Sequence, residues 1–410
     1  MRSFLAILCL VAIVGCATTP DLTSSGPSLR PLERTASSRP SPAEPIASEG
    51  LGGEPAEWIP VAAGPLSPRH GARAFSTGSL VYVVGGSNDD TCPPTMDCVG
   101  SGEPPLADGA VYDLATDSWT TLPASPVPLG YLSGTILDDR LYVWVDGTEQ
   151  GTGVRPAFLS VRAGDDAWQE HAPPQVAPMA SIGLAAVGGQ IVAFHGTHEH
   201  GAGPDLVFDP ANDTWRELPR DPLAPSFDRQ VITTDAGVVL LATPLVPDPG
   251  SERPALLEAA VLDPDGITWR RLRDSEILCC GGPWYWTGDR LANGSIGSAD
   301  GGQTNGWDRA YPFGGTLDPV TDSWGLLPDP PQRQGPRPGL SAGGAGWVVG
   351  LEGWALDLET ARWAAVPNTP IPTEGGVAEA WVGDHLFAWG GYRLADGKME
   401  LLDQGWTWPH

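Results

Sequence analysis

One clause, repeated along most of the sequence, limits what this chain can fold into more than any other feature. Copies such as "VYDLATDSW", "LVFDPANDTW" and "GTLDPVTDSW" each contain an apolar run, an Asp, and a Trp six residues after that Asp. The tryptophans recur at intervals of 39 to 55 residues, at Trp119, Trp168, Trp215, Trp269, Trp324, Trp363 and Trp408. The Asp precedes five of them, as Asp113, Asp209, Asp263, Asp318 and Asp357. Because a short polar side chain at a strand end can start a turn, we predict that the apolar run and the Trp lie on adjacent antiparallel strands.

A second clause stands upstream of each such pair and consists of two apolar runs around a tight polar turn. Examples are "FSTGSLVYVVGG", "ILDDRLYVWVDG" and "WVGDHLFAWGG". Gly and Asp at the centre suit the positive-φ turns that β-hairpins prefer. Each unit therefore contains four short strands, named a to d in chain order. A four-stranded unit that repeats at this spacing is typical of a propeller blade.

Residues of the first unit resemble the kelch repeat. They are the Gly85-Gly86 pair after strand b, Tyr112 before the turn, the later Trp119 and the opening "SPRHGARAF". The pair returns as Gly390-Gly391 in the last unit, whereas His195-Gly196 replaces it in the third. The resemblance implies an all-β fold, a kelch-type β-propeller, over residues 55–410, and counting the a–b hairpins gives seven four-stranded blades. Kelch propellers serve as partner-binding modules and occasionally as enzymes, so the resemblance is specific for fold and not for function.

An eighth Trp clause, "AEWIPVAAGPLSPR" around Trp58, precedes the first hairpin. We interpret it as an outermost strand that the amino terminus donates to the last blade, which closes the ring. The carboxyl-terminal "DQGWTWPH" competes for the same place, so two closures stay open. For the tryptophans of the clause, we expect packing between blades.

The amino terminus has the layout of a secretory signal. It carries one Arg, an apolar run from Phe4 to Val14 that is too short to span a bilayer, and a small residue before Cys16. The end of this run, "IVGC", resembles the lipobox of bacterial lipoproteins, which implies a signal peptide at 1–15 and lipidation of Cys16. The alternative is an uncleaved or ordinarily cleaved signal with an incidental cysteine. We expect a protein of the bacterial cell envelope, lipid-anchored on the extracytoplasmic side of a membrane.

The segment that follows, residues 16–54, is dominated by Ser, Thr and Pro. Its apolar residues are too scattered to offset the entropy of ordering, so we predict a disordered tether. Prolines keep such a segment extended, which would hold the folded part clear of the membrane. The propeller then occupies residues 55–410.

The charge balance narrows the range of partners. The chain has 50 acidic and 23 basic residues, a formal net charge of −27, and Lys398 as its only lysine. A surface this acidic repels phosphate backbones and excludes nucleic acid as a partner. It favours cationic ligands or divalent metals. We expect the protein to be a monomer.

The connections between strands b and c are long, and rigid scaffolds present binding sites on their long loops. In the third unit this connection reads "HGTHEHGAGPD" and holds His195, His198, His200 and Asp205. Imidazole and carboxylate groups in one loop form a candidate divalent metal site, for zinc or calcium. A solvated His-rich loop is the alternative interpretation.

The b–c connection of the first unit holds Cys92 and Cys98, which enclose five residues. In an oxidising compartment these two predict a disulfide that staples a long loop. The neighbouring Asp89, Asp90 and Asp97 form a candidate cation or ligand site. The alternative is that these three aspartates are solvated surface residues without a ligand.

The connection into the fifth unit reads "ILCCGGPWYW". The adjacent Cys279 and Cys280 form a candidate vicinal disulfide, which would be strained, stay as buried thiols, or pair across to Cys92 or Cys98. Trp284, Tyr285 and Trp286 follow on the expected innermost strand, close to the central channel. Their aromatic faces are candidates for stacking on a sugar, and strand packing is the alternative.

The leading functional hypothesis is a membrane-tethered, extracytoplasmic propeller that binds a protein, peptide or glycan without catalysis. It rests on the lipobox, the tether and the long connections on one face. The alternative is an extracytoplasmic propeller enzyme that acts on a carbohydrate, of the mutarotase or oxidase kind. Metal capture by the His-rich loop is the third hypothesis. We assign no catalytic residue.

Overall fold

The structure is a computed structural model of the whole chain. It describes residues 57–89, 103–146, 155–174, 181–199, 201–245, 255–278, 282–294, 314–328, 341–350, 354–366, 370, 375–395 and 398–409. The predicted signal peptide, Cys16 and the tether lie outside these residues. Among the described residues, no helix is long and apolar enough to cross a membrane.

The described residues contain β-strands and no helix. In chain order the strands are β1 (Ile59–Pro60), β2 (Arg73–Thr77), β3 (Leu80–Val84), β4 (Gly109–Asp113), β5 (Ser118–Thr121), β6 (Leu132–Leu137), β7 (Arg140–Val145), β8 (Ala157–Arg162), β9 (Gln169–His171), β10 (Ile182–Val187), β11 (Gln190–His195), β12 (Leu206–Asp209), β13 (Thr214–Glu217), β14 (Ser226–Thr234), β15 (Gly237–Pro244), β16 (Glu258–Leu262), β17 (Trp269–Arg271), β18 (Tyr285–Trp286), β19 (Leu291–Asn293), β20 (Gly315–Asp318), β21 (Ser323–Gly325), β22 (Ser341–Gly344), β23 (Trp347–Gly350), β24 (Trp354–Asp357), β25 (Arg362–Ala365), β26 (Val377–Val382), β27 (His385–Gly390), β28 (Tyr392–Ala395), β29 (Lys398–Leu401) and β30 (Gly405–Pro409).

These strands form seven four-stranded antiparallel sheets, which are the blades. Blades one to six are consecutive meanders from β2 to β25, and the seventh has the order β26, β27, β30, β1. The first strand of each blade contacts the first strand of the next, and β26 contacts β2. The ring is therefore closed, and the prediction of an all-β propeller with seven blades is confirmed.

The hairpin turns between strands a and b follow the predicted chemistry. In the second blade Asp138 and Asp139 have φ of 50° and 59°, and in the third Gly188 and Gly189 have φ of 55° and 77°. Two consecutive residues with positive φ give the turn whose twist matches that of the paired strands. This explains why Gly and Asp recur at these positions.

Apolar side chains fill the spaces between blades by simple alternation along each strand. In the second blade Leu141, Val143 and Val145 pack against the first blade, whereas Tyr142 and Trp144 pack against the third. No blade buries both faces by itself. The repeat is therefore required for the core, because each neighbour supplies the missing half.

The recurring Trp fastens each blade to the preceding one. Its indole N–H donates a hydrogen bond to a backbone carbonyl that lies just after strand d of the preceding blade. These carbonyls belong to Ala62, Pro123, Ala172, Pro219, Arg273 and Pro328, at 2.8 to 3.0 Å from the indole nitrogens of Trp119, Trp168, Trp215, Trp269, Trp324 and Trp363. We call this contact the tryptophan clasp.

The ring closes through the amino terminus, as the Trp58 clause indicated. Strand β1 pairs with β30, which is the third strand of the seventh blade. Aligning Trp408 with the outer-strand tryptophans was therefore wrong, because Trp408 lies on β30 and Trp58 immediately precedes the outer strand β1. The misalignment arose because the hairpin β28–β29 is inserted between the second and third strands of this blade.

Candidate functional site

The two faces of the ring differ in their connections. One face, here called the loop face, carries the b–c connections at 85–108, 146–156, 196–205, 245–257, 294–314, 351–353 and 391–404, together with the d–a connections. The opposite turn face carries the c–d turns and the a–b turns, which have two residues in every blade but the fifth. Binding residues are therefore expected on the loop face.

A buried arginine organises the loop face between the third and fourth blades. The guanidinium of Arg229 lies 2.6 Å from Asp205 and 3.3 Å from Asp221, and its Nε donates to the carbonyl of His195 at 2.9 Å. Asp205 also accepts the backbone N–H of His195 at 2.9 Å. The cluster thus joins the end of β11, the start of β12 and strand β14.

Two of the predicted metal ligands, Asp205 and His198, make other polar contacts in or beside this cluster. Asp205 is bound to Arg229, and Nδ1 of His198 accepts the backbone N–H of Ser226 at 3.2 Å. Burial lowers the pKa of His198, with a further contribution from Arg229. Among the residues that the structure describes, no three His, Cys, Asp or Glu side chains come together as a metal site. His200 lies outside those residues, so the predicted metal site stays a prediction.

Arg69 has a corresponding role in the first blade. Its guanidinium contacts both oxygens of Asp108, at 2.5 and 2.9 Å, and donates to the carbonyl of Gly85 at 3.2 Å. Beside this pair, the backbone N–H of Asp89 donates to Ser87 at 3.0 Å. The other candidates of this loop, Cys92, Cys98, Asp90 and Asp97, lie outside the described residues.

The three aromatic candidates of the fifth blade, Trp284, Tyr285 and Trp286, all make packing contacts. Trp284 is buried against Trp324, with ring centroids 6.0 Å apart. Trp286 packs against the same core. The side chain of Tyr285 lies so close to Gly343 that a Cβ at position 343 would come within 2.5 Å of the Tyr285 Cβ and 2.8 Å of its ring. Cys279 and Cys280 lie outside the described residues, so their pairing stays a prediction.

A polar cluster that sequence analysis missed lies where the second blade meets the third. Ser133 and Trp144 are direct partners across β6 and β7, and Asp146 follows two residues after Trp144. The backbone N–H of Asp146 donates to the carbonyl of Tyr131 at 2.9 Å and so extends the ladder. Side chains two apart on a strand share a face, so all three point toward the third blade.

Burial controls the electrostatics of this cluster. It raises the pKa of the Asp146 carboxyl to about 6, and N–H groups of Trp144 and Ser181 offset part of the rise. The indole N–H of Trp144 faces the carboxyl without making a hydrogen bond of normal geometry. One sequence signal pointed here: in the aligned repeat, Asp146 stands where the first blade has Gly85.

A second acidic group lies on the innermost strand of the seventh blade. Glu379 is partly exposed on β26, two residues from both Val377 and Trp381, which pack toward the sixth blade. Because β26 is innermost, the exposed part of Glu379 faces the centre of the ring. Burial alone raises the pKa of this carboxyl to about 8.

A Ser–His–Asp chain of hydrogen bonds joins the outer strands of the second blade to the third. Ser160 lies 2.9 Å from Nε2 of His171, and Nδ1 of His171 lies 2.7 Å from Asp213. Ser160 is fully buried, and Arg140 donates a hydrogen bond to its hydroxyl. These hydrogen bonds therefore link the third and fourth strands of the second blade to the third blade.

Comparison with known proteins agrees with this architecture. A family model described as the Kelch motif matches residues 68–126, which cover the first blade. No curated protein matches the sequence. The motif match and the ring of seven four-stranded blades together identify the fold of this chain as a kelch-type β-propeller.

Proposed function

We propose that this propeller is a binding module that engages a protein, peptide or glycan through its loop face. Propellers of this fold commonly serve as interaction modules. The observation that carries the proposal is the asymmetry of the ring. Every long b–c connection described above lies on one face, whereas the opposite face has short turns.

Exposed apolar side chains on the two faces allow a matched test. Tyr131, on the loop face, is 73% exposed, and Val320, in a c–d turn on the turn face, is 70% exposed. A photo-reactive benzoylphenylalanine at either position samples its own face in intact cells. We expect light-dependent products of defined size from position 131 and none from position 320. Equal products from both positions, or products only from 320, would contradict the proposal.

The proposal includes attachment to the extracytoplasmic side of a membrane through a lipid on Cys16. Its support is the signal-like amino terminus and the lipobox resemblance, both in residues outside the described part. Labelling with an alkynyl fatty acid tests this directly. We expect wild type to carry the label in the membrane fraction and Cys16→Ser to lose both label and membrane association. Membrane association without label in both forms would count against a lipid anchor.

A further inference from the structure

Three enclosed polar atoms of the second blade make no hydrogen bond of normal geometry. They are Oγ of Ser133, Nε1 of Trp144 and Oδ1 of Asp146. The strand register places these side chains next to one another on one face of one blade. Buried polar groups in folded proteins are nearly always hydrogen-bonded. Three adjacent exceptions indicate that a further group completes the cluster.

The chemistry of the three atoms restricts that group. The indole of Trp144 only donates, and an ionised Asp146 only accepts, whereas Ser133 does both. A cation would be repelled by the donor N–H of Trp144, and an anion would be repelled by the carboxylate of Asp146. A hydroxyl satisfies both, because it donates to Asp146 and accepts from Trp144.

The surroundings of the cluster indicate that the hydroxyl belongs to a ligand larger than water. Asp146 as a residue is partly exposed, so the cluster borders the loop face. Tyr131, whose carbonyl binds the Asp146 N–H, has a largely exposed ring. A ligand site commonly combines aromatic surface with a few placed polar groups.

We propose that the loop-face end of the interface between the second and third blades is a saccharide-binding site, in which a sugar hydroxyl bonds Asp146 and Trp144. The raised pKa of Asp146 agrees with a carboxyl shielded from water there. The site rests on the proposed binding function and specifies one ligand class for it.

The test is calorimetric titration of the full chain, purified in detergent, with a panel of neutral sugars. The panel holds glucose, galactose, mannose and N-acetylglucosamine, each as the monosaccharide and as a linear tetrasaccharide. Methylguanidinium and acetate represent cations and anions. We expect at least one sugar to bind, and Asp146→Ala to weaken it at least tenfold.

Two further variants keep the test decisive. Ser133→Ala removes one hydroxyl without opening the aromatic core, so its loss of affinity remains informative if Trp144→Phe fails to fold. Asp274→Ala is the matched control, since that carboxyl is 83% exposed on a loop-face connection. The control should bind like wild type.

Three outcomes would overturn the inference. Sugar binding that is equal in wild type and Asp146→Ala places the ligand elsewhere on the ring. Binding of methylguanidinium that requires Asp146 makes the ligand cationic. No sugar binding at all leaves an ordered water as the completing group. The photo-crosslinking at position 131 separates these results from failure of the proposed function, because it reports any partner of the loop face.

Discussion

Two buried arginines each pair with carboxylates, and these carboxylates differ in their exposure to water. Arg229 neutralises Asp205 and Asp221, whose side chains are 9% and 6% exposed. Arg69 pairs with Asp108, whose side chain is 45% exposed. The cost of losing the arginine depends on whether water can reach the carboxylate that remains.

We therefore expect Arg229→Met to lower the free energy of unfolding by about 3–5 kcal/mol, since it leaves two buried carboxylates without a counter-charge. Arg69→Met should cost about 1–3 kcal/mol, because water can solvate Asp108. Urea denaturation of both variants at neutral pH measures the difference. Equal losses would show that the exposure of the carboxylate does not control the effect.

Glu379 makes stability depend on pH. Its pKa rises from an ordinary 4.5 to about 8 in the folded chain, so folding favours the protonated form. The stabilisation is complete below the unfolded pKa and is lost as pH rises toward the folded pKa. Glu379 as a residue is partly exposed, so we expect wild type to lose about 1–3 kcal/mol between about pH 5 and pH 8.5 relative to Glu379→Gln.

Denaturation of both proteins across that pH range checks the prediction. The Gln variant keeps the shape of the side chain and cannot titrate, so every other ionisable group is shared by the pair. Parallel stability curves would mean that the carboxyl titrates alike in the folded and unfolded chain.

At the scale of elements, the tryptophan clasp includes a second hydrogen bond, made by an Asp of the same c–d turn. In the fifth blade, Trp324 donates to the carbonyl of Arg273 at 2.9 Å, and Asp322 accepts the N–H of the same residue at 2.8 Å. In the first blade, Trp119 and Asp117 hold Ala62 in the same way. Both groups lie around one c–d turn, so in these two blades the turn holds the backbone N–H and the carbonyl of a single residue of the neighbouring blade.

Since both bonds hold one residue, their energies should be coupled. We expect Trp324→Phe and Asp322→Gly each to cost about 1 kcal/mol, with the double variant about 0.5 kcal/mol less costly than the sum. Gly tolerates the positive φ of 56° at this position, so the substitution removes the acceptor without backbone strain. A double-mutant cycle by thermal unfolding measures the coupling. Strict additivity would mean that the two bonds act independently.

Elements were predictable from sequence where their causes are local. Turn residues with positive φ and the spacing of apolar runs predicted the hairpins and the seven blades. The turn-starting role failed at Asp263, because Asp265 accepts the N–H groups of Ile267 and Thr268 in its place.

The Arg229 cluster of the loop face was not predictable, because its members come from separate blades. Arg229 meets Asp205 and Asp221 only once the third and fourth blades pack, and neither spacing nor composition encodes that contact. Asp146 differs: its alignment with Gly85 marked a position where a polar side chain replaces a residue with positive φ. At this position, the departure from the repeat was therefore more informative about a site than the residues that match the repeat.

At the scale of the whole molecule, one short strand joins the two ends of the chain. Strand β1 pairs with β30, and the N–H of Val61 extends the contact to Gly405 at 3.0 Å. The next residue, Ala62, is held by the first blade. The amino-terminal segment thus ties the seventh blade to the first.

Removing this segment should open the ring. A chain that begins at Pro65 lacks β1 and the residue held by the first blade, whereas one that begins at Pro55 keeps both. At about 1 kcal/mol per hydrogen bond lost, we expect the shorter chain to be at least about 3 kcal/mol less stable. It also leaves β30 as an uncovered edge, which favours association between chains. Calorimetry with light scattering measures both effects, and equal unfolding midpoints in the two chains would show that closure does not depend on β1.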